Sequence, residues 1–186
     1  MAGFIKDYLF YKKIKKAFLL REPMREKKLR SLSEVRSCLV LFDASDEREC
    51  QIMFSIIKEL QDSGKHIRSV GYVQWKHNPH WCFPKISYDY LNTKHIAFTG
   101  LPKADFVNDL MAMHFDMLID FLNRPVPAMC YISALANASV KIARNRSQAE
   151  FFEQVFDFII EQPELSDRDF FEQVKKYLHM LKNDPQ

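Results

Sequence analysis

Glycine is nearly missing from this chain: Gly3, Gly64, Gly71 and Gly100 are the only four in 186 residues. A Gly-rich loop that cradles phosphate needs several glycines clustered where a strand turns into a helix, so the composition argues against such a site. Cysteine is scarce as well, and Cys38, Cys50, Cys82 and Cys130 show no CxxC spacing. Cys38 and Cys130 lie inside apolar runs and read as small core hydrophobes. No apolar stretch approaches the about 18 residues that span a membrane. The first twenty residues lack the apolar region and small-residue cleavage site of a secretory signal, so a reducing cytoplasm is the expected compartment. There is no G-x-S-x-G, and Ser133 sits mid-helix among ordinary neighbours, so no nucleophile stands out. No cofactor and no metal are expected.

What the chain does have is a lopsided charge. Residues 1–36 carry eleven bases, Lys6, Lys12, Lys13, Lys15, Lys16, Arg21, Arg25, Lys27, Lys28, Arg30 and Arg36, against the acids Asp7, Glu22, Glu26 and Glu34. That segment is +7, while the remaining 150 residues hold 16 bases and 20 acids and sum to −4. A basic segment on a mildly acidic body points to an anionic partner. Apolar residues make up 47% of the chain, with sixteen Phe, enough for a real core in one domain.

Residues 4–20 read as a helix, with Phe4, Tyr8, Tyr11, Ile14 and Phe18 on one stripe. Lys6, Lys12, Lys13 and Lys16 fall mainly opposite it, and Lys15 lies near it. Pro23 ends or kinks the helix, residues 24–36 form a basic connector, and the core is expected after Arg36.

Apolar runs then alternate with helical patterns. Residues 38–42 read as a buried strand ending at Asp43. Ser45 and Asp46 supply N-cap chemistry, and Asp46 with Glu49 forms a loose capping box. The helix they start runs to about Asp62 and buries Met53, Ile56, Ile57 and Leu60; Gly64 fits its stop. Residues 67–74 are a second strand. An irregular stretch over 75–102 holds a short third strand at 95–98. A helix over 104–113 and a strand over 115–121 follow. Next come a helix over 125–138 entered through prolines and a strand over 140–143. Residues 155–160 read as a strand or as the end of a helix over 151–160. The closing helix, 167–181, turns Phe170, Phe171, Val174, Tyr177, Leu178 and Leu181 inward.

This alternation implies βαβ crossovers in an α/β fold: an open, mainly parallel Rossmann-like sheet with helices on both faces, plus a basic N-terminal helix. The strands at 38–42 and 115–121 should be central neighbours. The organisation expected is an arm and connector over 1–36, one α/β domain over 37–182, and a tail over 183–186.

The succession LVLFDASDE, RSVGYV, FPKISYDYL, HFDMLIDF, YISALANASVKIAR and VFDFII resembles a bacterial family of small, uncharacterised Rossmann-like α/β proteins with a basic N-terminal helix. The likeness covers most of residues 35–182 and implies the fold without a biochemical role. A more distant resemblance is to the N-terminal half of heptosyltransferase-type glycosyltransferases, carried by residues 115–121 and 138–144. That resemblance implies a reduced glycosyltransferase-like or nucleotide-binding enzyme.

Several constellations could carry chemistry. Asp43 and Asp120 each end an expected strand, and on neighbouring strands their carboxylates would share the crevice beyond the strand ends, with Ser45, Asp46 and Arg124 nearby. Such a pair can bind Mg²⁺ or perform acid–base work; the plainer reading is that each caps a helix or loop. Arg124, Arg144 and Arg146 could gather around one phosphate at the N-terminus of the Pro125 helix, or simply be solvated. His77, His80 and Cys82 form H-x-x-H-x-C, a partial zinc set or an exposed polar loop.

The basic helix admits three readings. Its lysines and aromatics suit RNA phosphates and bases. They equally suit an anionic membrane surface. Alternatively the aromatics pack on the body and the lysines are merely solvated. The leading expectation is a non-enzymatic cytoplasmic binding protein that docks on RNA, in a ribonucleoprotein such as the ribosome, through Lys6, Lys12, Lys13, Lys15, Lys16, Arg21, Arg25, Lys27, Lys28 and Arg30. A protein partner is compatible with the body. The alternatives are the strand-end enzyme and a peripheral membrane protein.

Overall fold

Parallel strands covered by helices on both faces are largely apolar, and the central runs at 38–42 and 117–119 follow that rule. The computed structural model describes residues 2–145, 150–161 and 165–180, without the side chains of residues 2–9, 150 and 151. In chain order the elements are α1 (Ala2–Arg21), β1 (Ser37–Asp43), α2 (Glu47–Asp62), β2 (His66–Tyr72), β3 (Tyr88–Leu91), α3 (Ala104–Ala112) and β4 (His114–Asp120). They continue with α4 (Pro127–Leu135), β5 (Asn137–Arg144), α5 (Glu150–Glu153), β6 (Phe158–Ile160) and α6 (Asp167–Met180). The six strands form one parallel sheet in the order β3-β2-β1-β4-β5-β6, that of a Rossmann-like doubly wound fold. As the sequence predicts, β1 and β4 are adjacent at the centre, with Cys38 opposite Met117 and Leu41 opposite Asp120.

Strand alternation divides the core in two. Leu39, Leu41 and Leu118 face Val107 and Leu110 of α3 and Met129 and Ile132 of α4. Cys38, Val40, Phe42, Met117 and Ile119 face Met53, Ile56 and Ile57 of α2 and Phe170, Phe171 and Val174 of α6.

The core does not begin after Arg36. Phe10, Ile14 and Phe18 are 5%, 0% and 3% exposed and belong to the same cluster as α3 and α4, so α1 is docked on the body. The buried stripe runs through positions four apart, which fall on one helix face. Tyr11 lies at its border, half-buried and edge-on to Phe10 and Phe152 at 5.4 and 5.7 Å. Phe4 and Tyr8 have side chains outside the described residues.

Other boundaries also move. The third strand is β3, paired with β2, and residues 93–95 form a tight turn instead of leading into a strand at 95–98. Asn92 is the physical stop: its side chain accepts from Lys94 N, and its own N–H donates to His95 Nδ1. Residues 150–160 divide into the short α5 and the edge strand β6. On α6, Phe170, Phe171, Val174 and Leu178 are buried, while Tyr177 points outward at 52% exposure; Leu181 lies outside the described residues.

The connector passes along the N-terminal ends of the strands. Lys28 N–H donates to Ser139 O at 3.3 Å, Arg30 Nε lies 3.5 Å from Asp116 Oδ1, and the Arg36 and Ser37 amides donate to Asp116 Oδ2. Among the described residues no helix is long and apolar enough to cross a membrane.

Candidate functional site

A parallel sheet puts every strand's C-terminal end on one edge, and between β1 and β4 the direction of winding reverses. The sequence-predicted crevice residues gather there, with divided tasks. Asp120 is completely buried; it accepts from Ser133 Oγ of α4 at 2.7 Å and from Leu122 N–H at 3.1 Å. Asp43 lies two positions further along β1 than the partner of Asp120, and it remains partly exposed. It accepts from Ser45 N–H at 2.9 Å and from Arg124 Nε and Nη2 at 3.0 and 2.6 Å. The Arg124 guanidinium lies over the Tyr72 ring, 5.4 Å from its centroid. Ser45 Oγ accepts from Gln74 N–H, and Asp46 caps α2 by accepting from the Arg48 and Glu49 amides. Neighbouring strands therefore do not produce a carboxylate pair open to a common ligand: one acid fastens α4, and the other is matched by Arg124.

Arg124 and Arg144 are engaged with different partners. Arg144 is 4% exposed and folds onto the start of α6, donating to Leu165 O and Asp167 Oδ1, both at 2.7 Å, with its guanidinium over Phe170. Arg146 lies outside the described residues. Burial lifts the Asp167 carboxyl to about 6, Arg144 opposing and the charges of Glu49 and Asp43 adding.

In the loop after β2, the three possible metal ligands point to three different partners. His77 Nδ1 is 3.3 Å from Lys94 Nζ, His80 Nε2 is 3.9 Å from Glu47 Oε1, and Cys82 Sγ donates to Ala44 O at 3.6 Å. Among the described residues no three His, Cys, Asp or Glu side chains are grouped to hold a metal ion.

The basic segment also divides. Lys12, Lys13, Lys15, Lys16 and Lys28 are exposed, and among the described residues none of them makes an ion pair. Arg21, Arg25, Lys27 and Arg30 serve the fold. Arg21 Nη1 donates to Leu135 O at 2.7 Å. Arg25 is paired with Glu22 and Asp157, Lys27 with Glu22 at 2.8 Å, and Arg30 with Asp116. The Lys6 side chain lies outside the described residues.

Sequence reasoning passed over Lys141. It stands mid-strand in β5, 1% exposed, and donates from Nζ to Ala134 O at 3.0 Å. Burial pushes its ammonium down to about 7; Arg25 and Lys27 push the same way, and Glu22 and Asp157 oppose. It lines a cavity of about 150 Å³ between the end of α1, the end of α4 and β5. A lysine set between Val140 and Ile142 in a buried strand was the signal the sequence offered.

No curated protein matches this chain. A family model, by contrast, matches residues 6–181, nearly the whole of the docked helix and sheet just described, and the chain belongs to that family, one of unknown function (DUF6913).

Proposed function

We propose that the protein is a cytoplasmic, non-enzymatic binding protein that docks on RNA, in a ribonucleoprotein such as the ribosome, through the outer face of α1. One observation carries this reading. Phe10, Ile14 and Phe18 anchor one side of the helix in the core, and Lys12, Lys13, Lys15 and Lys16 stand exposed on the rest of it. Four ammonium groups on a fixed helix reach backbone phosphates without the entropy loss of ordering a free tail. Phe10 and Phe18 are buried and cannot stack on bases, so the contact made by these lysines is with the phosphate backbone and independent of sequence.

The test is the salt dependence of RNA binding by the full chain. Four phosphates neutralised give log K against log salt a slope of about −3 to −4. Replacing Lys12, Lys13 and Lys16 with Glu should remove most of it. Binding that ignores the triple substitution would overturn the reading.

A second reading has its own observation. Leu19, Leu20 and Met24 are 53%, 66% and 77% exposed at the C-terminal end of the same lysine-bearing segment, a combination that suits an anionic lipid surface. Flotation with anionic vesicles, without RNA binding, would select it. A glycosyltransferase-like or nucleotide-binding enzyme would have to open the Asp43–Arg124 pair. Turnover of a nucleotide-sugar that disappears in Asp43→Asn would replace the binding reading with that one.

A further inference from the structure

The cavity beside Lys141 has an unbalanced charge. Two charged residues of its lining, Arg25 and Glu22, are balanced within a cluster that also holds Lys27 and Asp157. Arg21 and Lys141 remain. Among the described residues neither makes an ion pair, and each donates to a backbone carbonyl of the last turn of α4, Leu135 O and Ala134 O. Those carbonyls supply only partial negative charge, about half an elementary charge for a whole helix end. Two cations therefore face one half-charge, and a single anion is the complement the site lacks. The lining is mixed: Glu22, Arg25 and Asn137 are polar, and Met24, Met111 and Leu135 supply an apolar part. A cavity near 150 Å³ accepts a molecule of about six heavy atoms.

We propose that this cavity is a binding site for a small monocarboxylate, its carboxylate held by Lys141 and Arg21 and its short apolar part against Met24 and Met111. The site is separate from the exposed lysines of α1 and does not depend on RNA docking through them.

The state of Lys141 gives the site a pH signature. Its ammonium titrates at about 7, pushed down by burial and by Arg25 and Lys27 against Glu22 and Asp157, with Arg21 at the same cavity. A bound carboxylate favours the charged amine, so binding takes up a proton from solvent. Affinity falls as pH rises through the value of the free amine.

Butyrate, with six heavy atoms, is the probe, and butyramide is its uncharged counterpart. The full chain, labelled at the methionine methyls, is titrated with each and followed by NMR and by calorimetry in two buffers of different ionisation heat. The expected result is saturable 1:1 binding of butyrate that shifts the Met24 and Met111 methyls and takes up a proton. Binding should weaken by up to about tenfold from about pH 6 to about pH 8. Lys141→Met and Arg21→Gln should each weaken it at least tenfold; Arg21 is exposed, so its variant remains informative if Lys141→Met does not fold. Equal binding of butyramide, unmoved Met111 and Met24 signals, or full affinity in Arg21→Gln would overturn the proposal. In that case the two cations serve only to cap α4.

Discussion

Arg25 and Asp157, 132 residues apart in the chain, form a bidentate pair in which Nη1 donates to Oδ2 at 2.7 Å and Nη2 to Oδ1 at 2.8 Å. The Arg25 side chain is only 4% exposed, and its Nη1 also donates to Ala138 O at 3.1 Å. This pair ties the connector after α1 to the segment between α5 and β6.

Removing the guanidinium leaves a largely buried carboxylate with a weaker partner, Lys27 at 3.5 Å. Arg25→Met should therefore destabilise the fold by about 3 kcal/mol, read as a lower urea midpoint. An unchanged midpoint would mean that the pair only balances its own desolvation. The pH dependence follows. Burial alone would raise the Asp157 carboxyl, but Arg25 and the Lys141 amide outweigh it and hold the group below its usual 3.8. A lowered acid contributes stability that is complete above the unfolded value and lost as pH falls through the folded one. The wild-type chain should weaken below about pH 4, and Arg25→Met should weaken less steeply there.

Docking of α1 is tested at its centre. Ile14 is fully buried, and Ile14→Ala should cost about 2–4 kcal/mol. Deleting residues 1–22 removes Phe10, Ile14 and Phe18 together and should abolish cooperative unfolding, measured by calorimetry. A truncated chain that melts like the intact one would make the helix a dispensable arm.

The two strand-end aspartates should respond differently. Ser133→Ala takes a hydroxyl from the completely buried Asp120 and should cost about 1–3 kcal/mol. Asp43→Asn disrupts a pair whose side chains are 24% and 45% exposed and should cost less than about 1 kcal/mol. Melting temperatures in the reverse order would assign Asp43 the structural task instead.

The sheet was readable because its central strands are unbroken apolar runs, and LVLF and MLID have no other stable place than between two helical layers. The edge was not. YDYL in β3 is short and half-buried, and nothing in its composition sets it apart from HIAF seven residues later; the stop imposed by Asn92 decides between them. The stripe on α1 was located in part, Ile14 and Phe18 being expected and Phe10 not, and it was read as the face of an arm, because a helix that docks and a helix that waits for a partner show the same periodicity. The strand-end acids were placed on the correct edge, yet their partners Ser133 and Arg124 come from segments whose approach only the folded chain defines. The cavity was invisible for the same reason: Arg21 belongs to the N-terminal helix, and Met111, Leu135 and Lys141 to three much later elements.

The docking of α1 also sets a schedule for synthesis. This helix is made before the sheet it packs on: Leu135, which receives Arg21, is translated 114 residues later, and Asp157 follows Arg25 by 132. Until then Phe10, Ile14 and Phe18 have no pocket. Closure of such distant contacts comes late and slowly, so the nascent chain must carry an apolar helix without its seat through most of elongation.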